Sequence, residues 1–160
     1  MDFGGTEHCI LDANGRLKLS PAAIASFERS GGRELVMHCW PEGCLGLVPK
    51  STWERMYYEQ GYAGSAMLAT FAGRQKQRLF NRFTQHDVIT AQGRITIPAA
   101  FRERASLQPG QAVVVAGIGE SLEVWNPERF AAINAELDEV ERLELGTERK
   151  VNEGLLDDLK

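Results

Sequence analysis

The sequence predicts an α+β fold built from two copies of one small unit, and three observations support this prediction. The stretch "LDANGRLKL" at 11–19 returns as "ITAQGRITI" at 89–97, each with an apolar segment, a turn containing glycine and an arginine. A proline follows each stretch and begins a short helical pattern. Two apolar runs joined by a short turn come next in both copies, which is the pattern of a β-hairpin. A repeat that keeps this order is typical of a duplicated unit.

The alignment of the chain with itself supports duplication. A shift of 78 residues pairs 6–19 with 84–97, so that Arg16 aligns with Arg94. One additional residue near Ser20 then reduces the shift to 77, which continues through the rest of both copies. A persistent shift with a single insertion indicates a repeated structural unit rather than a chance motif.

Each unit is expected to contain the same elements in the same order. A strand at 6–11, or 84–89, leads into a turn whose glycine can adopt a positive φ, and the short strand that follows completes a hairpin signal. The remaining elements are helices at 21–30 and 98–107, strand pairs at 33–40 with 44–48 and 111–119 with 121–125, and closing helices at 50–60 and 126–143. The segment 63–83 is expected to be a helix that joins the units, and 146–160 a mobile tail or a loosely packed helix. Four short strands leave little room for a private core, so we expect the two units to interleave and share one.

Composition restricts the class of protein. A chain of 160 residues with 43% hydrophobic residues can form one domain or two small ones. Its apolar runs are well short of the roughly 20 residues that cross a bilayer, and its beginning lacks a basic segment leading into an apolar one. Three cysteines without framework spacing suit reduced thiols. We therefore expect a protein of the cytoplasm with no membrane partner.

Charge is unevenly distributed along the chain. The formal net charge is −4, yet the residues before Glu120 carry 13 Lys and Arg against 10 Asp and Glu. Acidic residues dominate from that point onward. A basic body with an acidic end is compatible with nucleic-acid binding through a local patch, although many enzymes share it.

Several longer stretches resemble the MraZ family of bacterial transcriptional regulators of the division and cell wall gene cluster. These are "GTEHCILDANGRL" at 5–17, which contains the Asp-x-x-x-Arg signature, "TAQGRITIPAAFRERASL" at 90–107 and "VVVAGIGESLEVWNPERF" at 113–130. The resemblance implies duplicated swapped-hairpin AbrB-like (SpoVT-AbrB) β-barrel units with short flanking helices. It also implies a ring-shaped homo-oligomer, nucleoid association, and binding of promoter repeats in double-stranded DNA.

The resemblance and the turn chemistry together predict the site and the domain organisation. The expected DNA-binding residues are Arg16, Lys18, Arg94, Thr90 and Asn14, with Asp12 orienting Arg16. A planar guanidinium directly after a turn can reach phosphates or the edge of guanine. Side chains alternate between the two sides of a strand, so Lys18 is expected on the same side as Arg16. The second motif begins with Thr90 where the family usually has Asp, and the helix "PAAIA" lacks the usual Lys and Arg. The expected divisions are a first unit at 3–53, a helical linker at 54–80, a second unit at 81–130 and an acidic C-terminal helix and tail at 131–160.

Other interpretations of these residues remain open. Asp12 and Arg16 could bridge each other and serve folding alone, or the bridge could support binding. The linker cations Arg74, Lys76, Arg78 and Arg82, and the helix cations Arg102 and Arg104, could contact DNA or could face solvent. The alternative function is an AbrB-like protein-interaction or antitoxin-type module whose acidic helix binds a partner.

The sequence argues against an enzyme or a metal or cofactor site. Two His-Cys pairs, His8 with Cys9 and His38 with Cys39, are neighbours on strands. Neighbouring side chains face opposite sides of a strand, so neither pair chelates a metal easily. Cys44 is a further candidate ligand, but the sequence has no Cys-x-x-Cys or His-x-x-x-His spacing typical of zinc sites. The stretch "GIGES" lacks the third glycine of a phosphate-binding loop and is better explained as a hairpin turn. No nucleophile elbow surrounds a serine, and no base partner is evident for Ser65 or Cys44.

Overall fold

The computed structural model describes residues 2–61 and 64–159. These residues form an α+β fold with eight strands and five α-helices. The strands are β1 (Thr6–Ile10), β2 (Arg16–Lys18), β3 (Glu34–Cys39), β4 (Leu45–Pro49), β5 (Thr84–Val88), β6 (Arg94–Thr96), β7 (Ala112–Gly117) and β8 (Leu122–Trp125). The helices are α1 (Pro21–Arg29), α2 (Lys50–Glu59), α3 (Phe71–Asn81), α4 (Ala99–Ala105) and α5 (Pro127–Asp158).

The strands of the two sequence copies alternate in the sheets. Six strands form one antiparallel sheet in the order β1-β7-β8-β4-β3-β5, and β2 pairs with β6 in a separate two-stranded ribbon. Strand β1 of the first copy therefore pairs with β7 of the second, and β5 of the second pairs with β3 of the first. The expectation that the halves interleave and share a core is confirmed.

The prediction that β1 and β2 form a hairpin with each other is wrong, and the same holds for β5 and β6. The turn itself is tight, since the amide of Asp12 donates to the carbonyl of Arg16 at 3.0 Å. Beyond the turn, however, each strand finds its ladder in the other copy, where complementary apolar side chains are available. The hairpins predicted after the first helix of each copy are confirmed, as β3 pairs with β4 and β7 with β8.

One core contains side chains from both copies. Leu17 and Leu19 from the first copy lie in the same cluster as Ile95 and Ile97 from the second, and all four are at most 3% exposed. Burial of this much apolar surface is the main favourable contribution to folding. The two-stranded ribbon is thus anchored by its inward face, which leaves its outward face to solvent.

The first helix of each copy begins where the proline pattern predicts. Ser20 caps α1, because its hydroxyl accepts a hydrogen bond from the amide of Ala23 at 3.1 Å, and Pro21 occupies the first turn. The residue that interrupts the repeat alignment is therefore a helix cap. In the second copy, Pro98 stands at the cap position of α4.

The segment that joins the copies is not the single helix expected at 63–83. A short 3₁₀-helix (Ser65–Leu68) precedes α3, and Thr70 caps α3 by accepting from the amide of Gly73 at 3.0 Å. The Thr70 cap therefore divides the segment into two helices where the sequence pattern predicts one. Ala63 lies outside the described residues.

Residues 127–160 form a compact unit separate from the rest of the chain, and its described part is one long helix. The predicted end of this helix at residue 143 is wrong, since α5 continues to Asp158 through Gly146 and Gly154. A glycine inside a helix costs only about 1 kcal/mol relative to alanine, which a long helix tolerates. Of the two expectations for 146–160, the helical one holds as far as Asp158, and Lys160 lies outside the described residues. Among the described residues, no helix is long and apolar enough to cross a membrane.

Candidate nucleic-acid interface

The ribbon of β2 and β6 brings the repeated arginines of the two copies onto one exposed surface. Its outward side chains are Arg16 and Lys18 on β2 and Arg94 and Thr96 on β6. Leu17 and Ile95 pair at the centre and point into the core. The register places Arg16 opposite Thr96 and Lys18 opposite Arg94. The expectation that Arg16 and Lys18 share one side of their strand is confirmed. We call these four exposed side chains the ribbon face.

The register is symmetrical about its central pair. Arg16 corresponds to Arg94 in the sequence repeat, and each occupies the same end of its own strand. The carbonyl of Gly15 accepts from the amide of Ile97 at 2.9 Å, and the carbonyl of Gly93 accepts from the amide of Leu19 at 2.9 Å. Each turn is therefore held by the strand of the other copy.

In the first turn, Asp12 holds both the backbone and the side chain of Arg16. One carboxylate oxygen, Oδ1, accepts from the amides of Asn14 and Arg16 at 2.9 Å each. The other, Oδ2, accepts from Nε of Arg16 at 2.9 Å. These bonds, the backbone bond from Arg16 first among them, hold the pKa of the Asp12 carboxyl below its ordinary value. The carboxylate is thus ionised and orients the arginine.

The salt bridge with Asp12 leaves part of the Arg16 guanidinium available for other contacts. The side chain of Arg16 remains 43% exposed, and the bond to Asp12 uses Nε. The terminal Nη1 and Nη2 atoms, which can form a fork toward phosphate or guanine, make no hydrogen bond within residues 2–61 and 64–159. The two interpretations of the bridge, structural and supporting, are therefore compatible in this geometry.

The second turn has a weaker version of the same arrangement. The Thr90 hydroxyl accepts from the amide of Arg94 at 3.0 Å, as Asp12 does for Arg16, but it brings no charge to the arginine. The carbonyl of Thr90 accepts from Nη1 of Arg33 at 2.9 Å, so a first-copy arginine braces this turn. The side chain of Arg94 is therefore less constrained than that of Arg16.

The helices that flank the ribbon support the turns of the opposite copy. The guanidinium of Arg102 on α4 lies directly over Gly15, where an added Cβ would stand 2.8 Å from its Cζ atom. At the second turn, an added Cβ on Gly93 would stand 2.7 Å from Cδ1 of Ile24 on α1. Nε of Arg102 is buried without a hydrogen-bond partner in the described part of the chain. Arg102, a candidate DNA contact from the sequence, thus packs on the first turn, a contact that no local sequence pattern indicates.

Lys18 and Arg94 form a like-charge pair at directly opposed positions of the ribbon. Directly opposed like charges destabilise an antiparallel pair. Neither side chain has an ion-pair partner among the described residues, because the six salt bridges there, including that of Asp12 with Arg16, all involve other side chains. An anion bound across the ribbon face would relieve this repulsion.

The linker cations lie elsewhere. Arg74 donates to the carbonyl of Leu68 at 2.9 Å, and Arg78 to the side chain of Gln75 at 2.8 Å, both on or beside α3. Arg82 and Arg104 approach the ring of Phe83. None of these cations belongs to the ribbon.

One group of metal-type donors is present that the sequence did not indicate. Ligand atoms of Glu42, Cys44 and Glu123 lie within 4.8 Å of one another. The thiol of Cys44 donates to Oε2 of Glu123 at 3.4 Å, and burial, reinforced by that carboxylate, raises the pKa of Cys44 well above its ordinary value. A neutral thiol that donates a hydrogen bond explains the group without a metal, whose binding needs the thiolate. The remaining candidate donors are placed apart, with His38 bonded to Thr84 and Cys39 near the carbonyl of Phe101.

Comparison with known proteins identifies the family. A family model described as "MraZ protein, putative antitoxin-like" matches residues 84–152. A protein named "Transcriptional regulator MraZ" from Leuconostoc mesenteroides is 31% identical over 138 residues, covering 84% of this chain and 87% of the relative. The chain belongs to the MraZ family. A MraZ from Heliobacterium modesticaldum is 34% identical over 135 residues, with 84% of this chain and 87% of the relative covered. One from Roseiflexus sp. is 30% identical over 138 residues, with 86% and 90% covered.

Proposed function

We propose that this MraZ-family chain is a DNA-binding transcriptional regulator that contacts double-stranded DNA through the ribbon face. The observation that carries the proposal is the opposed pair of Lys18 and Arg94, flanked by Arg16. Three cations from the two copies share one exposed surface, and Lys18 and Arg94 stand directly opposite each other although opposed like charges cost stability. Such an arrangement is favourable when a polyanion lies across it.

The six predicted site residues divide into contacts and supports. Arg16, Lys18 and Arg94 reach phosphates or the guanine edge, while Asp12 orients Arg16 by accepting two hydrogen bonds from it, and holds the turn by accepting a third from the amide of Asn14. Thr90 orients Arg94 through the backbone alone. The backbone amide of Asn14, at the tip of the first turn, donates to Asp12, and its side-chain amide is left to contact phosphate or base. The two arginines therefore contribute unequally.

The fold of this regulator is a pair of swapped-hairpin AbrB-like units that together form a β-barrel. The interleaved sheet, the symmetrical ribbon and the cross-copy support of the turns favour this interpretation. The units span 3–53 and 81–130, joined by a helical linker at 54–80 and followed by the acidic helix and tail at 131–160.

The regulator acts as a ring-shaped homo-oligomer on repeated promoter sites. It works in the cytoplasm, at the nucleoid, and has no catalytic role. Strands β1 and β5 lie at the two edges of the six-stranded sheet, where Ile10 and Val88 are 64% and 53% exposed. Exposed apolar edges favour association with further copies, and a head-to-tail contact closes into a ring. Several weak sites aligned on DNA repeats gain affinity through effective concentration.

A second function, an antitoxin-type module that binds a protein partner, is favoured by one specific observation. The description of the matching family model includes the words "antitoxin-like". In that case α5, whose side chains are largely exposed and include ten acidic against four basic residues, would be the partner surface.

The salt dependence of binding to the DNA upstream of this protein's own gene tests the proposal. The logarithm of the affinity should fall steeply with the logarithm of salt concentration, by about 0.9 for each phosphate contacted. Lys18→Gln should lower this slope by about 0.9 for every engaged subunit. Lys50→Gln, which removes the same charge from α2 where it faces Glu34, is the matched control and should leave the slope unchanged. Binding that is insensitive to salt, or equal slopes for both variants, would contradict the proposal.

A further inference from the structure

A cavity of about 480 Å³ lies between α3, α4 and the end of β3, and its lining includes none of the ribbon residues. Its apolar wall is formed by Leu79, Phe80 and Phe83. Leu79 is 66% exposed at the rim, so its side chain is available to a bound molecule. Concave apolar cavities of this volume, with a few polar groups at defined positions, suit small organic molecules.

Three cations converge on the same cavity from two helices. Lys76 lies on α3, Arg82 caps the C-terminal end of α3, and Arg104 lies on α4. The guanidinium carbons of Arg82 and Arg104 lie 5.5 Å and 4.4 Å from the centroid of the Phe83 ring. Two like charges are thus held beside one phenyl ring by elements that are distant in sequence, which places a positive potential over an apolar wall.

The charge of Arg104 reaches the interior of the cavity. Cys39 also lines it, and burial raises the pKa of that thiol to about 11. Arg104 acts in the opposite direction and favours the thiolate. An anionic group bound in the cavity would therefore be stabilised by Arg104 in addition to the cations of α3.

The shape and lining together define the ligand class. A DNA duplex carries its phosphates on a convex outer surface and cannot enter a cavity of this size. Inorganic phosphate would contact the cations but would make no contact with the aromatic wall. A molecule with one anionic head group and a flat aromatic body matches both features.

We propose that the cavity between α3 and α4 binds an amphipathic organic anion, with its aromatic body on Phe80, Phe83 and Leu79 and its carboxylate, sulfonate or phosphate head group on Lys76, Arg82 and Arg104. This site is separate from the ribbon face, so its occupation does not depend on the proposed DNA contact. The inference adds a small-molecule site to a chain whose family names refer only to transcriptional regulation and antitoxin likeness.

Calorimetric titration of the full chain with 1-naphthyl phosphate tests the proposal. We expect one molecule bound per chain, and at least about tenfold weaker binding of both 1-naphthol, which lacks the charge, and inorganic phosphate, which lacks the ring. Absence of heat with 1-naphthyl phosphate at millimolar concentration would overturn the proposal. Equal affinity for inorganic phosphate would do so as well, because the apolar wall would then have no role.

Two pairs of matched variants locate the site. Arg82→Gln should weaken binding of 1-naphthyl phosphate about tenfold, whereas Arg78→Gln, which removes the same charge from α3 outside the cavity lining, should leave it unchanged. Leu79→Asp should bind more weakly than Leu79→Asn, since the two differ only in a charge at the rim. Leu79 is mostly exposed, so both variants should fold, and circular dichroism checks this.

Two results from these variants would overturn the assignment. The first is an equal effect of Arg82→Gln and Arg78→Gln on 1-naphthyl phosphate binding. The second is an Arg82→Gln variant that binds duplex DNA as poorly as Lys18→Gln does while binding 1-naphthyl phosphate normally. That outcome would show that these cations belong to a DNA surface rather than to a small-molecule site.

Discussion

Replacing Gly15 with alanine tests whether the first turn depends on a left-handed backbone. Gly15 has a φ of +77°, a conformation that costs an L-residue such as alanine about 1–2 kcal/mol. The added Cβ would also lie 2.8 Å from Cζ of Arg102. That guanidinium is the end of a flexible side chain and can move, so the backbone should provide most of the cost. We expect the free energy of unfolding to fall by about 1–2 kcal/mol, or the melting temperature by about 2–8 °C for a chain of this size.

Thermal unfolding of Gly15→Ala, Gly15→Asn and Gly93→Ala measures this cost and identifies its source. Asparagine tolerates the left-handed region better than alanine, so Gly15→Asn should lose less stability despite its larger side chain. Gly93 has a φ of +79°, and its added Cβ would meet Ile24, so Gly93→Ala should lose at least as much as Gly15→Ala. An unchanged melting temperature for Gly15→Ala would refute the reasoning. A larger loss for Gly15→Asn than for Gly15→Ala would show that contact with Arg102, not the backbone, sets the cost.

Three further predictions concern acid stability, the acidic helix and assembly. Burial lowers the pKa of His38 from 6.5 to about 4, so the folded state binds fewer protons and the free energy of unfolding should fall as the pH drops through that interval. Denaturant titrations at about pH 7 and about pH 4.5 should show a smaller fall for His38→Gln, and an equal fall would contradict this. Truncation after Gly146 removes four acidic and three basic residues, a net charge of −1, from the exposed end of the chain, so DNA affinity should stay the same or rise only slightly; a loss of affinity would favour the protein-partner alternative. Light scattering should show a multimer at micromolar concentration, and a monomer would contradict the oligomer.

Local patterns in the sequence were sufficient to predict the two faces of strand β2. Alternation with period two places Arg16 and Lys18 on one side and Leu17 on the other, and the structure confirms it. The glycine turns and the helix starts at Pro21 and directly after Pro98 were also predictable, because each depends on neighbouring residues.

The pairing partners were not predictable from these patterns. The adjacent strands β1 and β2 look like a hairpin in sequence. Instead, β1 pairs with β7, where His8 is opposite Val114, and β2 pairs with β6, where Leu17 is opposite Ile95, because the complementary apolar edge lies in the other copy. The contact between Arg102 and Gly15 depends on the same long-range pairing and left no local signal. The group formed by Cys44 with Glu42 and Glu123 likewise arises only when β4 and β8 come together.

The most direct test of the DNA-binding site is a titration of the upstream DNA fragment with wild type, Arg16→Ala and Arg94→Ala at two salt concentrations, alongside melting curves. A good arginine contact is worth about 1–3 kcal/mol, so each variant should lose more than about tenfold in affinity when two or more subunits engage. The two losses should differ, because Asp12 orients Arg16 through its side chain whereas Thr90 touches only the backbone of Arg94. Unchanged affinity and salt slope in both variants would show that the turns serve folding alone and that the ribbon face does not bind DNA.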